Sequence, residues 1–125
     1  MSTKNARTIL VVDDDAVTRR LVATALSAAY TVHAAEDAAD ALAILERIPV
    51  PDLIVCDVMM PKVTGINFVT AIRKRPGFER VPVVFLTAKT GPLDVVQGIN
   101  AGARHYIAKP FKVADLLAKV AKIVG

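Results

Sequence analysis

Short apolar runs recur along the chain, and each stops at a residue with chemistry to offer. Ile9-Leu10-Val11-Val12 stops at Asp13-Asp14-Asp15, Leu53-Ile54-Val55-Cys56 at Asp57, and Val83-Val84-Phe85-Leu86 at Thr87. A weaker run, Tyr106-Ile107-Ala108, stops at Lys109-Pro110. Runs of this length, rich in β-branched residues and set between helical stretches, read as buried parallel strands. The most polar strand, Tyr30-Thr31-Val32-His33-Ala34, is expected at the sheet edge.

Helical spacing fills the intervals. Val17, Leu21, Val22, Ala25 and Leu26 mark a first helix, and Ala41, Leu42, Leu45 and Ile48 a second, stopped by Pro49 and Pro51. Phe68, Val69 and Ile72 mark a third, ending before Pro76-Gly77. A fourth opens at Gly91-Pro92, turns Leu93, Val96 and Ile99 inward and ends at Gly102. The last carries Val113, Leu116, Leu117, Val120 and Val124. Five strands alternating with five helices predict an α/β fold: a (βα)5 doubly wound, parallel five-stranded sheet of flavodoxin-like order 2-1-3-4-5. A length of 125 residues fits a single domain over 1–125, its core about 8–124.

Composition narrows the function classes. The apolar fraction is 54%, yet no apolar run approaches the ~18 residues of a membrane span, and the polar N-terminus is no secretory signal. A single cysteine excludes an internal disulfide and fits a cytoplasmic location. Cys56 reads as a small buried hydrophobe. His33 and His105 are isolated, and zinc spacing is absent. The net charge of +4 is spread over Arg19-Arg20, Arg73-Lys74-Arg75, Lys112, Lys119 and Lys122, a pattern of solvated helix faces and not of direct nucleic-acid binding.

If the strands share one sheet, their C-terminal ends lie side by side, where open α/β sheets place ligands. Asp13, Asp14 and Asp57 then form an anionic pocket. Asp15 is the one expected merely to cap a helix. Two carboxylates ~4 Å apart repel by about 4 kcal/mol at an effective dielectric near 20, so raised pKa values or a cation must offset them. Hard oxygen ligands suit Mg²⁺. Asp57, followed by an open loop running from Val58 through Pro61 to Gly65, can act as a nucleophile and form an aspartyl phosphate. The Thr87 hydroxyl can donate to a phosphoryl oxygen, and the Lys109 ammonium can pair with it. Lys109-Pro110 invites a cis peptide, against a prior of ~5% for X-Pro bonds.

The set Asp13-Asp14, Asp57-x-x-x-Pro61-x-x-x-Gly65, Thr87-Ala88 and Lys109-Pro110-Phe111 resembles the response-regulator receiver domain of two-component signalling, single-domain chemotaxis-type regulators included. The similarity runs from Thr8 to Val124, and its joint order and spacing are specific where each motif alone is weak. The resemblance implies that Asp57 is phosphorylated by a histidine kinase or a histidine phosphotransfer protein. It implies Mg²⁺ on Asp14, Asp57 and the backbone carbonyl of Met59, with Asp13 holding it through water. Lys109 would contact the phosphoryl group, Thr87 would report it, and Tyr106 stands at the family's aromatic switch position. The surface of the fourth helix, fifth strand and last helix would then change shape for a downstream protein target. The domain would act as a monomer, or dimerise on phosphorylation, and would catalyse only its own phosphorylation and dephosphorylation, with Met59 and Lys89 tuning phosphate lifetime.

The chain departs from the family's pattern at Gly102-Ala103-Arg104-His105, where acids are common, which makes that face more basic. Three alternatives rank lower. A phosphohydrolase of the haloacid-dehalogenase type wants a second acid where Met59 stands. A flavodoxin-like cofactor binder wants a Gly- or Ser/Thr-rich phosphate loop where Asp13-Asp14-Asp15 stands. A constitutive interaction module would have lost acids that are all present.

Overall fold

The computed structural model describes residues 7–88 and 105–125. Five strands form one parallel sheet: β1 Thr8–Val12, β2 Thr31–Ala35, β3 Leu53–Asp57, β4 Val83–Thr87 and β5 His105–Ala108. Their order is β2-β1-β3-β4-β5, the expected doubly wound arrangement. The helices among the described residues are α1 Ala16–Ser27, α2 Ala38–Leu45, α3 Gly65–Ile72 and α4 Val113–Val124. The helix expected after Gly91-Pro92 lies outside the described residues, as does Lys89.

Alternation along the strands divides the core in two, because successive side chains point to opposite faces. Leu10, Val12, Ile54, Cys56 and Phe85 pack with Ala41, Leu45, Phe68, Val69 and Ile72 of α2 and α3. Ile9, Val11, Val55, Val84 and Leu86 pack with Val22 and Leu26 of α1 and with Leu116, Val120 and Val124 of α4. Both faces are covered, which is why the inner strands are continuous apolar runs. Cys56 is fully buried, as a small hydrophobe should be. β2 stands at the edge as expected, one residue later than its polarity suggested, and among the described strands pairs only with β1.

Two helices deviate from the sequence reading. Val17 and Leu21 share the spacing of the core stripe of α1, yet Val17 is 76% exposed and Leu21 46%. The first turns of α1 stay outside the core: Val17 is open to solvent, and Leu21 lines a surface groove with Pro110 and Phe111. α2 ends at Leu45, before the prolines; Ile48 packs on the core from the turn that follows, while Leu42 is exposed.

Side-chain caps set the helix starts. Asp15 accepts from the Thr18 N–H, Asp37 from the Asp40 N–H and Thr64 from the Asn67 N–H. At the other end of the sheet, Arg73 donates to the carbonyls of Phe78 and Val81, at 3.0 and 2.5 Å, and so fastens the loop that feeds β4.

Candidate functional site

Register assembles the site. Val12 pairs with Cys56, so Asp13 stands level with Asp57 one step on. Asp57 pairs with Leu86, which places Thr87 one residue beyond it. Thr87 pairs with Ala108, and Lys109 follows. The cross-links continue past the ladders: the Val58 N–H donates to the Leu86 carbonyl, and the Lys109 N–H donates to the Thr87 carbonyl at 2.8 Å. The Lys109-Pro110 bond is cis.

The acids converge. Asp13, Asp14 and Asp57 each offer a carboxylate oxygen within 4.8 Å of the others, and Asp14 alone of the three is exposed. Lys109 Nζ lies 3.1 Å from Asp13 Oδ2 and 3.4 Å from Asp57 Oδ1. Among the described residues, one ammonium thus pairs with two of the three carboxyl groups. Asp13 is fully buried and held on every side: its N–H donates to the Ala35 carbonyl, its Oδ1 accepts from the Asp15 N–H, and its carbonyl accepts from Arg19. Asp15 does only what a cap does, gripping Thr18 through the hydroxyl as well as the backbone.

Electrostatics follow from this packing. Burial, then the Asp13 charge, pushes the Asp57 carboxyl up to about 6; Lys109 pulls the other way without cancelling them, and a hydrogen bond with Asp14 adds to the rise. For Lys109, burial opposes the charged form, but the hydrogen bond and charge of Asp13, with Asp57 behind, outweigh it and raise the ammonium's pKa. Burial also raises the Cys56 thiol far above its usual value, so it is no nucleophile here.

The loop after Asp57 is shaped by two backbone requirements. The Met59 N–H reaches Asp57 Oδ1 at 3.4 Å, with the Met59 side chain half exposed. Gly65 lies so close under the Asp57 carbonyl that a Cβ there would overlap it, and its N–H donates to the Val58 carbonyl. Lys62 takes a positive φ of 71° in between. Thr87 is buried at the end of β4. Tyr106 is half-buried, its ring 5.9 Å from that of Phe85 and tilted by 37°. The site residues foreseen from sequence thus share one end of the sheet, with Tyr106 one strand position below Ile107. Sequence reasoning missed Arg19, which it took for a solvated charge. The available signal was its place six residues after Asp13, within reach of a helix's first turn folding back on its own loop.

Known proteins resemble the chain in sequence and in fold. Residues 9–121 match the family described as the response regulator receiver domain. The probable transcriptional regulator ycf27 of Porphyridium aerugineum is 39% identical over 117 residues, 93% of this chain and 47% of that protein. The DNA-binding response regulator MtrA of Mycobacterium tuberculosis is 40% identical over 113 residues, 90% of this chain and 48% of that protein. The chain spans about half the length of these relatives. A crystal structure of the Vibrio cholerae chemotaxis protein CheY4 superposes with a TM-score of 0.89 at 34% identity, covering 94% of this chain and 98% of that one. In sequence and in topology, the chain belongs to the response regulator receiver domain family of two-component signalling.

Proposed function

We propose that Asp57 accepts a phosphoryl group and that the domain is a switch operated by it. The observation that carries the reading is a carboxylate at a strand end beside two more acids and a lysine, all within a few ångströms. The donor in this reading is a phosphohistidine, on a histidine kinase or a histidine phosphotransfer protein. An Asp57 oxygen attacks phosphorus, the P–N bond breaks, and the electron pair returns to the imidazole, which picks up a proton. Hydrolysis of the acyl phosphate later restores the carboxylate. The domain would thus process its own phosphoryl group and not act as a turnover enzyme.

The donor set fits Mg²⁺: three hard carboxylates, too many for one ammonium to neutralise. Asp14, Asp57 and the Met59 carbonyl would hold the ion, with Asp13 acting through water. Bound there, it would neutralise charge on the transferring phosphoryl oxygens. Lys109 supplies a second positive charge to the same oxygens. It must loosen its hold on Asp57 as the phosphoryl group arrives.

Phosphorylation adds nearly two negative charges and new acceptors. The Thr87 hydroxyl gains by moving toward them. Tyr106 packs against Phe85 in the same layer and can take up the space that Thr87 leaves. The phosphoryl group shifts the population only by its differential contact with the two conformers. We place the consequence on the surface around β5 and α4 and read the output as binding of a protein target, without direct nucleic-acid contact and in the cytoplasm. No helix among the described residues is long and apolar enough to cross a membrane. We read the domain as monomeric, with dimerisation on phosphorylation the alternative. Intact-mass analysis after acetyl phosphate tests the reading. One phosphoryl mass should appear with Mg²⁺, none with a chelator and none in Asp57→Asn; labelling that survives the chelator would remove the metal from the account.

A further inference from the structure

We propose that Arg19 is a positioning residue for the cation site: its guanidinium fixes the acid loop so that Asp13 and Asp14 face Asp57. This rests on the reading of the three acids as a Mg²⁺ site.

The carbonyl of Asp13 belongs to no ladder. It lies past the end of β1 and before α1 begins, so neither sheet nor helix supplies a donor. Arg19 Nη1 supplies one, at 2.9 Å. The Arg19 backbone meanwhile continues the helix, its N–H donating to the Asp15 carbonyl at 2.8 Å. One residue therefore ties the first turn of α1 to the loop that enters it. With the Asp13 N–H on the Ala35 carbonyl and Oδ1 on the Asp15 N–H, the peptide on each side of Asp13 has a fixed direction. The direction of the next peptide sets where Asp14 points. Asp14 is the exposed member of the trio. Apart from its link to Asp57, the loop's backbone is what aims it.

Charge and position make opposite predictions, which gives the proposal its test. A guanidinium beside a dication site repels the dication, so if Arg19 mattered only as a charge, its removal would tighten binding. If it holds the loop, its removal weakens binding despite the loss of repulsion. Groups that orient first-sphere ligands typically contribute 10–100-fold to metal affinity.

The experiment titrates Mg²⁺ into the full chain by calorimetry at pH 8, for wild type, Arg19→Met and Arg19→Lys. We expect Arg19→Met to bind about tenfold more weakly and Arg19→Lys, which keeps a donor and the charge, to recover most of the loss. The Mg²⁺ concentration for half-maximal labelling by acetyl phosphate should move by the same factor, with the rate at saturating Mg²⁺ nearly unchanged. That split separates positioning of the metal loop from damage to the fold. Unchanged or tighter binding by Arg19→Met overturns the proposal. So does an equal loss in both variants with a reduced saturated rate. Should Arg19→Met fail to fold, Arg19→Gln replaces it under the same expectations. A wild type that takes up no Mg²⁺ sinks the metal reading itself, and this proposal with it.

Discussion

Replacing Asp57 by Asn should stabilise the metal-free domain at neutral pH, although it removes the residue on which the proposed function depends. Burial first, and then the Asp13 charge, push the carboxyl from 3.8 up to about 6. Each pH unit corresponds to 1.36 kcal/mol, so ionising Asp57 inside the fold costs at most about 3 kcal/mol. Solvent reaches the pocket from the Asp14 side, and screening reduces this to about 1–2 kcal/mol. The sign follows from proton counting. Between pH 4 and 6, roughly, the folded chain keeps a proton on Asp57 that the unfolded chain has released. Stability from this group therefore falls as pH rises through that window and stays low above it. Asn is neutral throughout, and its side-chain oxygen can still accept from Lys109 and from the Met59 N–H. In urea with a chelator, Asp57→Asn should have a midpoint about 0.5–1 M above wild type at pH 8. The gap should close by pH 4. Added Mg²⁺ should stabilise wild type more than the variant. A variant no more stable than wild type at pH 8, or a gap that ignores pH, would refute the electrostatic reasoning.

Lys109→Met removes the ammonium that lies against Asp13 and Asp57. The Asp57 titration, followed by carboxyl NMR, should move above 6, and labelling by acetyl phosphate should slow by about 100-fold. Gly65→Ala drives a methyl into the Asp57 carbonyl, so urea melts should show a loss of about 1–3 kcal/mol, and phosphorylation should fall with it. Arg73→Met takes the guanidinium donor from the carbonyl of Val81 and from that of Phe78, which keeps only the long bond from the Val81 N–H, and should cost about 1–3 kcal/mol in the same melts. Because it lies at the opposite end of the sheet, its phosphorylation rate should stay at the wild-type value.

The strands were legible because a sheet covered on both faces demands unbroken apolar runs, and parallel strands demand that their ends align. With Val12 level with Cys56, Asp57 with Leu86 and Thr87 with Ala108, the residues Asp13, Asp57, Thr87 and Lys109 gather at one end of the sheet, stepping outward by one residue at β4 and again after β5. The helices were legible in type but not in reach. Val17 and Leu21 keep the spacing of the α1 stripe, but spacing does not say which turns of a helix reach the core. Gly65 read as a loop glycine, yet what requires it is the absence of a Cβ beneath the Asp57 carbonyl, a contact visible only in three dimensions. Arg19 escaped notice for a similar reason. An arginine on a helix is usually solvated, and its hydrogen bond to a backbone carbonyl leaves no pattern of residue types.

If the Asp57 carboxylate itself carries the phosphoryl group, chemical reduction will mark that residue. Borohydride reduces an acyl phosphate to the alcohol, so phosphorylated protein treated this way should yield homoserine at its phosphorylated aspartate, locatable by peptide sequencing in the mass spectrometer. The account predicts homoserine at position 57 and at no other aspartate, with Asp13 and Asp14 recovered intact. Homoserine at Asp13 or Asp14 in the wild type, or phosphate retained on a serine, threonine or histidine after the treatment, would contradict it.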